Sequence, residues 1–134
     1  MTVIEASNTV QYSSNGNSFH NLTVYTKVKE LTMTDNYTGS WRIAFVISTA
    51  DALDTAYGKI YKNGVAYGTE RSTSLSTPQL FTEDFTSISI SSGDLIQLYT
   101  KVVSGSDDVI NTTFEDKFTL PPPSVSQSNM LLML

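Results

Sequence analysis

The sequence predicts an all-β protein, a single antiparallel sandwich or barrel of about eight or nine short strands. Three observations carry this. Apolar residues recur with period two. Clusters of Ser, Asn, Asp and Gly punctuate the runs at short intervals. No segment of ten or more residues carries an apolar stripe with helical period. At 134 residues the chain is one domain's worth and long enough to bury a core without disulfide or metal staples.

The elements follow in order. A turn cluster at residues 13–18 opens the legible part. Leu22, Val24, Thr26 and Val28 then fall on one face of an expected strand, with Tyr25, Lys27 and Lys29 on the other. After the polar stretch at 34–40, Trp41, Ile43, Phe45, Ile47 and Thr49 line one face of the next run. Its other face, Arg42, Ala44, Val46 and Ser48, is partly apolar too, which predicts a central, well-buried strand. The segment from Asp51 to Ala56 has room for one helical turn and no more.

The clearest local signal comes next. Tyr57 to Lys62 and Val65 to Gly68 meet at Asn63-Gly64. A two-residue loop of type I′ needs positive φ at both central positions, which Asn tolerates and Gly accepts freely. This sets Lys62 opposite Val65, Tyr61 opposite Ala66 and Ile60 opposite Tyr67. Gly58 and Gly68 are poor strand formers and point to a bulge or a close approach by another backbone. Phe85 to Ile90, a turn at Ser91 to Asp94, and Leu95 to Val103 follow. A further turn at 104–108 precedes Phe114, Asp116, Phe118 and Leu120, which close the alternating part. The expected core is Trp41, Ile43, Phe45, Ile60, Ile88, Ile90, Ile96, Leu98, Phe114 and Phe118.

Composition excludes several functions. The net charge of -5 and the lack of any basic stripe argue against nucleic-acid binding through phosphate neutralisation. Charged residues make up only 16%, with Ser, Thr and Asn in their place, so the expected surface is polar but weakly charged. There is no cysteine, which removes the disulfide-dense class of small secreted domains. The start, MTVIEASNTV, has neither a basic nor an apolar leader region, so no signal peptide is expected. No run approaches the roughly 20 apolar residues of a membrane span.

Catalytic chemistry has little to stand on. His20 is the only histidine and reads as a loop or strand-edge imidazole. No nucleophile elbow, phosphate loop or His/Cys metal spacing is present, and no cofactor is expected. Glu83-Asp84 and Glu115-Asp116 are adjacent pairs, and neighbours on a strand point to opposite faces, so neither is a catalytic carboxylate pair. The chain reads as a non-enzyme. Asp51 and Asp54 in one loop, and Asp107 and Asp108 in another, are calcium candidates, because loop carboxylates supply the hard oxygen ligands calcium takes. Tyr57, Tyr61, Tyr67 and Tyr99 are candidates for stacking on sugars or anchoring a partner. Cross-strand packing with an exposed hydroxyl is the plainer alternative.

A Trp-Arg-Ile-Ala-Phe strand, "AYGKIYKNGVAYGTER", "FTEDFTSISISSGDLIQLYTK" and a final Phe-x-Asp-x-Phe strand together form a recognisable pattern over roughly residues 40–120. It resembles the later halves of jelly-roll head domains of the C1q and tumour-necrosis-factor-like kind. It is also similar to β-sandwich modules of phage and archaeal virus structural proteins. Asn63-Gly64 and Gly93-Asp94 are the two points that match. The resemblance implies a jelly-roll sandwich.

The chain divides into a sandwich, residues 1–120, and an arm, residues 121–134. Pro121, Pro122 and Pro123 end the sheet, since proline cannot donate to a ladder, and favour an extended spacer. Met130, Leu131, Leu132, Met133 and Leu134 follow, too few to span a bilayer but costly to leave in water. They are expected to dock on a neighbouring subunit as an added strand or plug. The function expected from all this is a structural protein of a virion (capsid, turret, spike or fibre) that self-assembles into symmetric oligomers, with copies of itself and other structural subunits as partners. The alternative is an extracellular or cell-surface adhesion module that binds glycan or a host receptor, or a subunit of a prokaryotic extracellular filament.

Overall fold

The computed structural model describes residues 10–14, 16–51, 53–103 and 109–117, with the backbone alone at 10–12, 109 and 111–117. Ten strand segments occur along it: β1 (Val10–Ser13), β2 (Ser18–His20), β3 (Thr26–Thr32), β4 (Tyr37–Thr49), β5 (Ala56–Lys62), β6 (Val65–Ala66), β7 (Arg71–Thr73), β8 (Gln79–Ile90), β9 (Leu95–Val102) and β10 (Val109–Lys117). Sheet A has the order β1-β10-β4-β8, with β2 also on β10. Sheet B has the order β3-β9-β5-β6, with β7 also on β5. All pairings are antiparallel.

β1 and β2 are two pieces of one interrupted edge strand, and so are β6 and β7. Counted that way, eight strands form two sheets in the order 1-8-3-6 and 2-7-4-5. That is the double Greek key of a jelly roll. The expected all-β, jelly-roll sandwich is the observed fold.

The core lies between the sheets. Trp41, Ile43, Phe45 and Ile47 of β4 face Ile60 of β5 and Ile96 and Leu98 of β9, and all are essentially inaccessible to water. Ile88 and Ile90 of β8 close the same cluster. Eight of the ten expected core residues are thus buried. The Phe114 side chain and Phe118 lie outside the described residues. At Gly58 the layers approach tightly: a Cβ there would sit 2.6 Å from Phe45 Cε2. The close approach foreseen at Gly58 is made by an aromatic ring rather than by a backbone.

Three local expectations need correction. The strand placed at Leu22 begins at Thr26. Residues 21–25 carry the chain from sheet A to sheet B, and Leu22 and Val24 are 47% and 66% exposed. Period two persists through a connection that joins no sheet ladder, although the Leu22 carbonyl accepts Val102 N–H at 3.0 Å. β3 also carries a bulge between Lys27 and Lys29, after which Leu31 and Met33 turn inward. In the hairpin, Tyr61 pairs with Ala66 and Lys62 with Val65 as expected. Ile60 does not form a simple pair with Tyr67, because its carbonyl takes N–H groups from both Tyr67 and Gly68 at 2.9 Å. β6 is thereby cut to two residues, and Tyr67 swings onto Phe85 of β8, with ring centroids 4.9 Å apart.

Candidate functional site

The outer face of sheet B carries the chain's one aromatic platform among the described residues. Its construction is alternation. Ala56, Gly58 and Ile60 point inward on β5, so Tyr57, Lys59 and Tyr61 point out. Ile96, Leu98, Thr100 and Val102 point inward on β9, so Gln97, Tyr99 and Lys101 point out. The register then sets Tyr57 beside Lys101, Lys59 beside Tyr99 and Tyr61 beside Gln97. Tyr61 and Tyr99 stack with centroids 3.8 Å apart and planes 18° from parallel.

Tyr25 joins from the connection before β3. Its ring lies 6.3 Å from that of Tyr61, and its hydroxyl donates to Glu70 Oε2 at 2.6 Å beyond β5. Burial, reinforced by the Glu70 carboxylate, pushes its phenol well above the ordinary tyrosine range, so it stays neutral. Lys101 Nζ sits over two rings, 4.7 Å from the centre of Tyr25 and 5.1 Å from that of Tyr57, a cation–π arrangement.

A polar network stiffens the other end of the face. Gln97, 4% exposed, donates to Glu30 at 2.8 Å and accepts Gly64 N–H at 2.8 Å. Lys27 Nζ reaches the same Glu30 oxygen at 3.0 Å. Gln97 first and Lys27 second hold the Glu30 carboxyl below its usual range. Partly exposed aromatic rings fixed on a rigid sheet, with ammonium groups between them, can stack on C–H faces and bond polar groups of a ligand at low ordering cost.

Of the tyrosines singled out from the sequence, Tyr57, Tyr61 and Tyr99 converge here. Tyr67 does not, since it covers the open edge beside Phe85. Tyr25 was missed. Its outward alternation with Lys27 was visible, but its place on this platform depends on strand order.

The other candidates have structural partners. Leu22 N–H donates to His20 Nδ1 at 3.0 Å, so the neutral ring carries its proton on Nε2, which lies 2.8 Å from Thr100 Oγ1. His20 therefore ties β2 of one sheet to β9 of the other. Asp51 Oδ1 accepts Leu53 N–H at 2.9 Å, and the buried Asp54 accepts Thr55 N–H at 2.8 Å. These contacts shape a turn, and among the described residues no three His, Cys, Asp or Glu side chains gather to hold a metal. Asp107 and Asp108 lie outside the described residues, as do Pro121, Pro122, Pro123, Met130, Leu131, Leu132, Met133 and Leu134. Glu83 and Asp84 diverge as alternation requires. Glu83 accepts Thr69 N–H through both oxygens, at 3.0 and 3.1 Å. Asp84 forms a two-pronged pair with Arg42 on the outer face of sheet A, at 2.7 and 3.1 Å.

A second surface feature lies at one end of the sandwich. Leu22, Val24, Leu53, Leu75 and Val103 are all about half exposed or more. Backbone hydrogen bonds gather their connections: Val103 N–H to Thr55 O at 3.1 Å, Thr49 N–H to Leu75 O at 3.0 Å, and the Val102–Leu22 bond. β10 starts at this end beside Thr49 and runs to Lys117 beside Arg42, towards the opposite end.

No protein-family model matches the chain, and no curated protein matches it. Solved structures do. The C-terminal domain of EclA, described as a sugar-binding protein, superposes with a TM-score of 0.58 at 10% identity, over 87% of this chain and 83% of that one. The CBM36-1 domain of a multidomain xylanase from the hindgut metagenome of Trinervitermes trinervoides gives 0.49 at 13% identity, over 83% and 89%. The CBM22-1 xylan-binding domain of Xyn10C from Paenibacillus barcinonensis gives 0.48 at 8% identity, over 87% and 99%. At 10% identity the likeness to the EclA domain is one of fold: the chain is a jelly-roll β-sandwich.

Proposed function

We propose that the protein is a non-catalytic carbohydrate-binding module that works outside the cell or at its surface, with the tyrosine face of sheet B as its glycan platform. The observation that carries this is the stacked Tyr61–Tyr99 pair flanked by Tyr25, Tyr57 and Lys101. The core does not need these rings, since they lie on the side of sheet B away from it. Polarised C–H bonds on a pyranose face suit a tyrosine π-face, and the phenol and ammonium groups suit hydroxyls. The fold likeness to the EclA sugar-binding domain supports the reading. The adhesion alternative is thereby preferred over the virion role. Binding to an oligosaccharide array tests it: the wild type retains glycans, and Tyr99→Ala loses them without loss of fold. Equal retention by Tyr99→Ala would move the site elsewhere.

A second reading, self-assembly through the arm, is favoured by one separate observation. An apolar loop end stands at one pole, while β10 carries the chain towards the other pole and the apolar segment Met130–Leu134 follows it in sequence. Docking of that segment on the loop end of a second copy would hide both surfaces.

A further inference from the structure

We infer that the ligand of the tyrosine platform is an anionic glycan, one whose sugars carry carboxylate or sulfate groups. This rests on the carbohydrate reading above and adds the charge of the ligand to it.

The chain has 13 acidic and 8 basic residues, so an arbitrary patch of its surface would carry more carboxylates than ammonium groups. The platform departs from that. Lys59 lies between Tyr57 and Tyr61 on β5, Lys101 follows Tyr99 on the same face of β9, and Lys27 of β3 pairs with Tyr99. Lys27 is taken by Glu30. No carboxylate among the described residues forms an ion pair with Lys59 or Lys101. Glu70, at the edge of the platform, accepts the Tyr25 hydroxyl.

The register makes these two lysines neighbours. Tyr61 pairs with Gln97 and stacks on Tyr99, two residues further along β9. Lys59 pairs with Tyr99, and Lys101 is two residues further along in the same sense. Lys59 and Lys101 therefore occupy the diagonal equivalent to the stacked tyrosines, and diagonal neighbours on one sheet face are within about 7–8 Å of each other. Lys101 is held on the platform by the faces of Tyr25 and Tyr57, and long side chains rooted at that spacing can both reach one anionic group. A neutral sugar would use the rings and leave this pair uncompensated. A sugar acid stacked on Tyr99 or Tyr57 would set its anionic group between the ammonium groups.

The test uses the full chain on an array in which each neutral oligosaccharide stands beside its uronate or sulfate counterpart, for example galactotetraose beside tetragalacturonate and sulfated galactotetraose. Oligothymidylate serves as a non-sugar polyanion. Two exposed ion pairs give an expected preference of about threefold to thirtyfold for one of the anionic members, shrinking as salt is raised. Lys59→Met with Lys101→Met, which keeps the aliphatic stems, should erase the preference by weakening the anionic members more than the neutral ones. The double Lys→Arg variant should retain it. Neutral members bound as tightly as their anionic partners would overturn the inference and leave the carbohydrate reading standing. No binding to any oligosaccharide, or oligothymidylate bound tighter than every sugar, would overturn both. The uronate and sulfate arms identify which anionic group is recognised.

Discussion

The side-chain amide of Asn63 donates to the carboxylate of Asp94 at 3.1 Å, so the turn between β5 and β6 and the turn before β9 form one unit. Around this contact, Leu95 N–H donates to Asn63 Oδ1 at 2.8 Å, and Asn63 N–H donates to Leu95 O at 2.8 Å. Asp94 also accepts Ser91 N–H at 2.9 Å within its own turn. Asn63 has φ 52° and Gly64 φ 81°, both positive as a type I′ turn requires. The hairpin tip is thereby latched to the start of the central strand of sheet B, and Gly64 N–H is bound by Gln97 beneath the platform.

Gly64→Val should destabilise the domain by about 1 kcal/mol or more, because a β-branched residue resists positive φ. A Cβ at this position meets nothing within 4 Å, so the loss would come from the backbone and not from a clash. Urea melts read it directly. Gly64→Asn, which tolerates the same φ, should recover most of the loss.

The latch has a pH dependence of defined sign. The Ser91 N–H, ahead of Asn63 and Lys62, holds the Asp94 carboxyl below its ordinary value of 3.8. A depressed folded-state pKa means the contribution is fully present above the ordinary value and is lost as pH falls through the lower, folded one. Stability should therefore drop below about pH 4. Asp94→Asn should cost about 1–2 kcal/mol at pH 7 and flatten the acid limb relative to the wild type. Asp84, depressed by Arg42, contributes to the same limb and should keep part of it in the variant. An acid limb unchanged by Asp94→Asn would remove Asp94 from the account.

Packing between the sheets makes a coupled prediction. Phe45→Ala should cost about 3–5 kcal/mol, as for other buried rings. Gly58→Ala should cost about 1–3 kcal/mol by overpacking, since the new methyl would press on Phe45 and come within 3.4 Å of Ile47 Cδ1. In a Phe45→Leu background the same alanine should cost less, by about 1 kcal/mol. A double-mutant cycle in chemical denaturation checks this, and strict additivity would show that the Phe45 contact is not what excludes a side chain at position 58.

Local signals were readable where one residue answers one constraint. Asn63-Gly64 names its turn, and Trp41 to Ile47 names a buried face, because dihedral preference and alternation act between neighbours. The platform was only half readable. Tyr57, Tyr61 and Tyr99 alternate outward within their own strands, but their convergence needs β5 beside β9, and Tyr25 needs β3 beyond β9. That order is set by burying two whole sheets against each other, not by any local spacing. Gln97 was unreadable for a related reason. It is a polar residue at an outward position, and it is buried because Glu30 and Gly64 reach over it from two other elements. Leu22 and Val24 misled in the opposite direction, since apolar alternation marks a strand only where a partner lies alongside.

The arm gives the last prediction, which separates the two functional readings. Fully burying a large apolar side chain yields roughly 1.5–3 kcal/mol, so the five residues Met130–Leu134 have much to gain from a partner surface. Ordering a short flexible segment costs a few kcal/mol of that gain. Docking on the loop end around Leu53 and Val24 of a second copy is a head-to-tail contact, which closes into a ring or extends into a filament according to its rotation. Deleting Met130–Leu134 should leave the β-type circular dichroism spectrum and the urea midpoint unchanged while shifting sedimentation towards the monomer. Leu53→Asp with Val24→Asp, at exposed positions outside the core, should do the same by placing charges where an apolar partner cannot satisfy them. Loss of folding on deletion would instead assign the segment to its own domain. Unchanged sedimentation in both variants would remove assembly by this route and leave the glycan platform as the sole function proposed.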